Sequence, residues 1–180
     1  MGRPRDNVGH PVNSRLSATF SPILALLACS GPALRGDVYR DDGLAFRLGE
    51  IPKSWRRLEV KNVRLAFRDD DAESTVLVNA RCGSDSDDVP LLALTQHLFM
   101  MFTERETLEQ KIVPMDGREA MHTVLRAKLD GVPKMFDAYV LKKDACVYDF
   151  VIISTPAKFE TNRPLFENFV AGFHTIHEEA

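Results

Sequence analysis

The sequence predicts an α+β fold in which helices pack on an antiparallel β-sheet. Two observations lead to this prediction. Short runs of alternating apolar and polar residues are separated by Asp-Gly and similar turn pairs, a pattern typical of β-hairpins. Two longer segments repeat apolar residues every three or four positions, a pattern typical of amphipathic helices. Along the chain the order is several strands, a helix, hairpin-linked strands and a closing helix.

Strands in the first half of the chain are separated by acidic turns at 41–43 and 69–71. In the longest run, the apolar residues from Val76 to Cys82 share one face, and Asn79 and Arg81 share the other. The expected strands are residues 38–40, 44–48, 63–67 and 74–82.

Two segments predict helices, residues 89–102 and residues 157–177. Asp87 or Asp88 is a candidate N-cap for the first, with Pro90 in its first turn. The stripe of the first helix consists of Leu91, Leu94, Leu98 and Phe102, widened by Leu92 and Phe99. The stripe of the second, interpreted as core packing, consists of Phe159, Phe166, Phe169, Val170, Phe173 and Ile176.

Between the helices, turns at 116–117, 130–131 and 143–144 predict a run of hairpins. The last strand of this run is apolar on both faces, so we expect it in the centre of the sheet with cover on both sides. In the second strand we expect His122, Arg126 and Lys128 on the polar face. The expected strands are residues 106–113, 118–129, 132–142 and 145–154.

The N-terminal segment carries a candidate secretion signal. An apolar run of about ten residues, too short to span a bilayer, follows three arginines and ends immediately before Cys29. It fits the apolar region of a secretion signal. The segment resembles the lipobox of bacterial lipoproteins, which implies cleavage before Cys29 and lipid attachment to it. The alternative is a buried core helix, which the flanking Pro22 and Pro32 disfavour.

This resemblance sets the expected organisation and location. A start at Val12 would give a tidier signal, so we expect that residues 1–11 are not translated in the cell. Ser30 after the cysteine resembles Gram-negative lipoproteins of the outer membrane rather than the inner one, so the domain would face the periplasm. The expected divisions are a signal peptide at 1–28, a lipidated Gly/Pro tether at 29–37 and a single globular domain at 38–180.

Charge and cysteine content agree with an extracytoplasmic domain. The chain carries a formal charge of −3, and no basic run is present, which argues against nucleic-acid binding. The hydrophobic fraction of 44% is sufficient for a core. Apart from Cys29, the chain has Cys82 and Cys146, which would pair in an oxidising compartment. The alternative is two separate buried thiols.

Several short motifs together resemble PsbP-like domains over residues 38–177. They are Tyr39, Asp42-Gly43-Leu44-Ala45-Phe46, Ile51-Pro52, Trp55, Gly117-Arg118-Glu119-Ala120, an Asp-Gly at the end of a strand and a closing Phe-rich helix. The resemblance implies an α/β/α sandwich. It brings no catalytic residue with it, because such domains mostly act as accessory or assembly factors.

No motif in the sequence predicts a catalytic residue, a cofactor or a metal site. No Gly-x-Ser-x-Gly elbow accompanies the histidines. His174 and His177 would share the last helical turn but lack a firm third ligand. The acidic runs 69–71 and 85–88 contain calcium-type ligands without EF-hand spacing, so we interpret them as solvated turns.

The sequence therefore favours a non-enzymatic, lipid-anchored envelope protein that binds or assists an envelope protein partner. Trp55, Arg56 and Arg57 are a candidate partner patch, although closure of the core by Trp55 is the favoured interpretation. The alternative function is a carrier of a small apolar ligand between the sheet and the C-terminal helix, where Phe159, Phe166 and Phe173 would face the strands.

Overall fold

The computed structural model describes residues 1–2, 32–41, 43–83 and 89–177. The predicted signal segment, Cys29 and the candidate caps Asp87 and Asp88 lie outside these residues. The strands are β1 Ala33–Arg35, β2 Val38–Asp41, β3 Leu44–Arg47, β4 Arg56–Leu58, β5 Leu65–Asp69, β6 Ser74–Cys82, β7 Thr103–Met115, β8 Arg118–Leu129, β9 Val132–Lys143, β10 Cys146–Ser154 and β11 His174–Thr175. The helices are α1 Leu91–Leu98 and α2 Phe159–Ala171.

The predicted α+β fold is confirmed, with two antiparallel sheets in the described part of the chain. The large sheet has the strand order β4-β5-β6-β10-β9-β8-β7, and the small sheet has the order β1-β2-β3-β11. The central position of β10 is as predicted. Helix α1 packs on β8 and β9, while α2 packs on β9 and β10. Among the described residues, no helix is long and apolar enough to cross a membrane.

The hairpins of the large sheet follow from their turn residues. Asp116 and Gly117 have φ values of 46° and 73°, and Asp130 and Gly131 have φ values of 51° and 80°. Positive φ at both central positions is the conformation of a type I′ turn, whose twist matches that of the flanking strands. The predicted strands β8, β9 and β10 are therefore correct to within one residue at each end.

The main core lies between the large sheet, α2 and the small sheet. Phe46 of β3 and Phe173, which follows α2, are fully buried and lie with their ring centroids 5.7 Å apart. Tyr148 of β10 contacts both rings. Since aromatic side chains contribute large buried areas, this cluster holds the two sheets together.

Helix α1 is shorter than predicted. The apolar pattern extends from residue 89 to residue 102, but the helix ends at Leu98. Pro90 occupies its N-cap position. Beyond it, Phe99 and Phe102 pack against Phe136 of β9, which requires the chain to turn. Leu92, predicted as part of the apolar stripe, is 43% exposed.

Helix α2 also ends earlier than predicted, at Ala171 instead of residue 177. Gly172 lies so close to Gly49 that a Cβ atom on it would stand 2.3 Å from the Gly49 Cα. After this contact the chain turns into β11, where Thr175 pairs with Phe46 of β3. The pairing with β3 replaces the last predicted turn of the helix, so His174 and His177 do not share a helical turn.

The predicted open tether at 29–37 differs from the structure in its second half. Residues Ala33–Arg35 form β1, which pairs with β2 through a turn at Gly36. Leu34 packs against the main core, which explains why this short segment is ordered as a strand. The strand predicted at 63–67 is shifted and lies at Leu65–Asp69.

Candidate functional site

A groove between α2 and the strands β7–β9 is the best candidate site in the described part of the chain. Its volume is about 450 Å³, within the range of small-molecule and peptide-side-chain pockets. One wall is apolar and the rest carries charged and polar groups. The lining includes Lys111, Val113, Asp116, His122, Tyr139, Arg163, Val170 and Phe173. We call it the His122 groove after the histidine at its floor.

A buried histidine–aspartate pair forms the floor of the His122 groove. His122 of β8 is 2% exposed and Asp137 of β9 is fully buried. They lie in directly adjacent strands, and His122 Nε2 is 2.7 Å from Asp137 Oδ1. The ring of Tyr139 stacks on the imidazole, with centroids 4.4 Å apart. This contact fixes the plane of the histidine ring.

Arg163 of α2 forms ion pairs with three carboxylates, one of which is Asp137 of the floor. Its Nε lies 3.2 Å from Asp137 Oδ2 and 2.8 Å from Glu167 Oε1. A terminal nitrogen lies 3.3 Å from Glu109 Oε2. Burial lowers the pKa of Arg163, but the neighbouring carboxylates outweigh this effect, so the pKa is raised above its ordinary value. The guanidinium therefore remains a fixed positive charge beneath the groove.

Two further groups keep a single protonation state near neutral pH. Burial, followed by the charge of Asp137, raises the pKa of the Tyr139 phenol well above its ordinary value. The phenol therefore remains a hydroxyl that can donate a hydrogen bond. The hydrogen bond from Lys111 is the main cause that lowers the pKa of Glu109, which therefore remains a carboxylate.

Asp116 forms one rim of the His122 groove. Its carboxylate accepts hydrogen bonds from Lys143 Nζ at 2.7 Å, from the Thr175 backbone N–H at 2.9 Å and from Thr175 Oγ1 at 3.1 Å. His174 Nδ1 lies 3.0 Å away. Burial raises the pKa of Asp116, but these donors outweigh it and lower the pKa to about 2. The rim thus ties the β7–β8 hairpin to β11.

The chemistry of the His122 groove depends on which groups accompany the histidine–aspartate pair. A buried aspartate that orients a histidine is also found in hydrolases, where the histidine activates a nucleophile. Among the described residues that line the His122 groove, however, none is a serine, threonine or cysteine. The second nitrogen of His122, Nδ1, lies 4.0 Å from Glu109 Oε1. Donors, fixed charges and an apolar wall remain available to a ligand.

Sequence reasoning missed the His122 groove. The sequence predicts His122 on the polar face of β8 with Arg126 and Lys128. Arg126 is exposed, but α2 covers the part of this face that carries His122 and buries it. The available signal was Asp137, which lies between Phe136 and Ala138 in the buried middle of β9. A carboxylate in such a strand needs a charged or hydrogen-bonding partner.

The predicted cysteine pair is joined in the structure. Cys82 and Cys146 are directly opposite each other in β6 and β10, their Cα atoms are 4.0 Å apart, and a disulfide links them. The predicted lipidation residue, Cys29, lies outside the described residues.

The structure separates the members of the predicted partner patch. Trp55 is 7% exposed and packs on Phe67 and Phe169, so its side chain is not available to a partner. Arg56 and Arg57 are exposed, and Arg56 pairs with Asp70. This arrangement agrees with the interpretation that Trp55 closes the core, and it removes the aromatic member from the patch.

The structure also locates part of the acidic sequence and the aromatic stripe. Asp69 is buried and accepts a hydrogen bond from Ser54 Oγ at 2.6 Å, which is a structural rather than a solvated role. No group of three metal-ligating side chains occurs among the described residues. Phe159 and Phe166 are 2% and 0% exposed, so both side chains fill the core instead of lining a cavity.

Known structures share this fold. A cyanobacterial PsbP, CyanoP from Synechocystis sp. PCC 6803, is similar at 18% identity and a TM-score of 0.56, over 83% of this chain and 99% of its own. The chain therefore has a PsbP-like fold. LpqN, described as involved in cell envelope biogenesis of Mycobacterium tuberculosis, is similar at 12% identity and a TM-score of 0.54, over 80% of this chain and 88% of its own.

Comparison at the level of sequence gives no further assignment. No protein-family model matches the chain, and no curated protein matches it.

Proposed function

We propose that this protein is a lipid-anchored, extracytoplasmic accessory protein that binds another component of the cell envelope through the His122 groove. The groove is the observation that carries the binding part of the proposal. It combines an apolar wall, whose accessible residues are Val113, Pro114 and Ala171, with a floor whose charges are fixed by ion pairs. Such a surface favours recognition of a segment that carries both apolar and polar groups.

Two observations support the extracytoplasmic location. The lipobox-like segment before Cys29 resembles a lipoprotein signal. The disulfide between Cys82 and Cys146 is the second, because such bonds persist in oxidising compartments and are rare in the cytosol of most organisms. The similarity in fold to a protein described as involved in cell envelope biogenesis is compatible with this location.

The anchor is tested by Cys29→Ser. We expect the variant to lose labelling by radioactive palmitate and to move from the membrane fraction to the soluble fraction, because the lipid provides the attachment. Wild-type protein and the Cys82→Ser, Cys146→Ser double variant are the controls, and both should retain the label. Unchanged membrane association of Cys29→Ser would contradict the proposed anchor.

The groove is tested by photocrosslinking in intact cells. A benzoylphenylalanine at Ala171, which lines the groove, should give a discrete crosslinked partner band. The matched control places the same group at Leu165, which is 40% exposed on the same helix and does not line the groove. Lys111→Glu should weaken the band at Ala171. Equal crosslinking from the two positions, or no effect of Lys111→Glu, would contradict binding in the groove.

The carrier function has one supporting observation, the open groove itself. Phe173 contributes to its wall, but Phe159 and Phe166 do not. If the protein carries a small apolar ligand, lipid extracts of purified protein should contain a stoichiometric compound that Ala171→Arg abolishes, because Ala171 lines the groove and its side chain is exposed. The partner proposal instead expects an empty groove in purified protein and a saturable protein crosslink in cells.

A further inference from the structure

The outer edge of β7 is a second surface with a defined chemistry. β7 is the last strand of the large sheet and pairs only with β8 among the described strands. It has 13 residues, whereas typical strands have about five or six. The opposite edge strand, β4, has three residues. A long edge with unpaired backbone groups is a template for another strand.

The backbone groups that face this edge can be identified. Met115 and Arg118 close the two-residue turn between β7 and β8, and the closing pair of such a hairpin exchanges backbone hydrogen bonds. Alternation along the strand then directs the backbone groups of Gln110 and Ile112 away from β8. Pro114, which has no N–H to donate, falls in the same outward-facing set, as expected for an edge proline.

We propose that β7 pairs with β7 of a second copy of this chain, antiparallel and centred on Gln110. In this register Gln110 faces Gln110 and Glu109 faces Lys111. The second pair occurs twice because the interface is two-fold symmetric. The pairing joins the two large sheets edge to edge.

The side chains fit this register. Glu109 and Lys111 already form an ion pair within one chain. The register places each of them also opposite the other residue of the second copy, which gives two opposite-charge pairs across the interface. Ile112 is 48% exposed, a large fraction for an apolar side chain. A neighbouring strand would cover part of it.

Neighbouring registers bring like charges together. Centring on Glu109 places that residue opposite its own copy, and centring on Lys111 does the same for the lysine. Centring on Leu108 places Arg105 opposite Lys111. Like charges directly opposite each other destabilise a strand pair. Centring on Ile112 avoids like charges, but it places Gln110 opposite Pro114, which has no N–H to donate, and Lys111 opposite the uncharged Val113. Gln110 is therefore the favoured centre.

The pairing is also limited in length. Register irregularities interrupt β7 between Thr103 and Glu106 and between Thr107 and Glu109. Because bulges twist the strand and disturb its ladder, regular pairing is confined to the segment around Gln110. Each copy pairs with the free β7 edge of the other, so no β7 edge remains for a third copy. The assembly therefore closes as a dimer instead of growing into a fibre.

Cysteine crosslinking tests the dimer directly. The full chain carrying Cys29→Ser and Gln110→Cys, folded by circular dichroism and mildly oxidised, should form a disulfide-linked dimer. Val132→Cys in the same background is the collision control, because Val132 is 52% exposed at the start of β9, away from the proposed interface. We expect about tenfold more dimer from Gln110→Cys, because paired strands raise the local thiol concentration.

Two further variants test the register. Mixing Glu109→Cys with Lys111→Cys should give more crosslinked dimer than either variant alone. In the Gln110→Cys background, Lys111→Glu should lower the yield about tenfold, since two attractive pairs become repulsive. The exchange Glu109→Lys with Lys111→Glu should restore it.

The proposal is overturned if folded Gln110→Cys crosslinks no better than Val132→Cys. It is also overturned if the charge exchange fails to restore crosslinking, because the register then does not depend on these pairs. None of these measurements uses the lipid or an envelope partner. Because Lys111 also lines the His122 groove, the comparison of Gln110→Cys with Val132→Cys is the measurement that is independent of the proposed function.

Discussion

The large and small sheets differ in how their strands are brought together. In the large sheet, β8, β9 and β10 follow each other through tight turns, so each strand pairs with its neighbour in sequence. In the small sheet, β11 from the end of the chain pairs with β3 from its beginning. The hairpins can therefore form from local sequence, whereas the small sheet needs the large sheet and α2 in place before its last strand can pair.

The comparison also shows why the two sheets should unfold together. The inner face of the small sheet is not a separate core, because Tyr39 and Phe46 belong to the same buried cluster as Tyr148 and Phe150 of the large sheet. Exposure of either sheet would remove partners from the other. We therefore expect one cooperative transition, and the variants below test that expectation at different points.

Reduction of the disulfide has the largest expected effect. Cys82 and Cys146 are 64 residues apart, and closing a loop of this length stabilises the fold by about 4 kcal/mol in the chain-entropy model. Denaturant unfolding with and without a reductant should show this loss as a lower midpoint of one transition. Two separate transitions would show that the sheets unfold independently. Two free thiols in denatured, unreduced Cys29→Ser protein would show that the bond does not form.

Gly49→Ala tests the contact between the small sheet and α2. A Cβ atom on Gly49 would lie 2.2 Å from the Asn168 carbonyl oxygen, and backbone must move to relieve the overlap. We expect a loss of about 3 kcal/mol in unfolding free energy. Gly43→Ala is the control for a methyl group in open space: no atom lies within 4 Å of its Cβ position, so its only cost is the backbone strain at φ 77°, about 1 kcal/mol. Equal losses for the two variants would contradict the close contact.

Gly131→Val tests a hairpin of the large sheet, where the cost is local. Gly131 has φ of 80° with open space around it, so the expected loss of about 1–3 kcal/mol comes from backbone strain of a β-branched residue alone. Chemical denaturation measures it. A variant as stable as the parent would mean that the turn tolerates another conformation and that the hairpin is less tightly specified.

Asp116→Asn has the smallest expected effect and tests the link between the sheets. The pKa of Asp116 is lowered to about 2 in the folded protein, so its ionised form stabilises the fold above the ordinary pKa of about 4. This contribution is lost as the pH falls through 2. We expect the variant to be about 1–2 kcal/mol less stable at pH 7, allowing for solvent screening.

The pH dependence is the control within that experiment. The difference in unfolding free energy between wild type and Asp116→Asn should narrow below pH 4 and become small near pH 2. A difference that stays constant with pH would mean that the loss comes from geometry instead of charge.

The parts of the fold that the sequence predicts are those with local signals. Asp130-Gly131 marks its turn unambiguously, and the apolar faces around Phe150 identify β10 as central. By contrast, β1 and β11 carry only three and two residues, too few for a periodic pattern. The end of α2 depends on the close approach of Gly49 to Gly172, which lie far apart in sequence.

The candidate site was less predictable than the fold. The sequence around His122 alternates as expected for a strand with one exposed face. Only the position of α2 buries that face at His122. The sequence pattern predicts that Arg163 is a surface residue of an amphipathic helix, although its guanidinium contacts Asp137 in the sheet. These three residues come from three elements, so no spacing in the sequence links them.

The early start of β1 limits how far the domain can move if Cys29 carries a lipid. Ala33 follows Cys29 by four positions, and a fully extended chain of that length reaches only about 14 Å. The headgroup layer would then lie beside the β1 edge of the small sheet. β11 and the adjacent His122 groove lie at the opposite edge of that sheet. A lipid on Cys29 would therefore hold the groove on the side away from the bilayer, where it would be accessible to other envelope proteins.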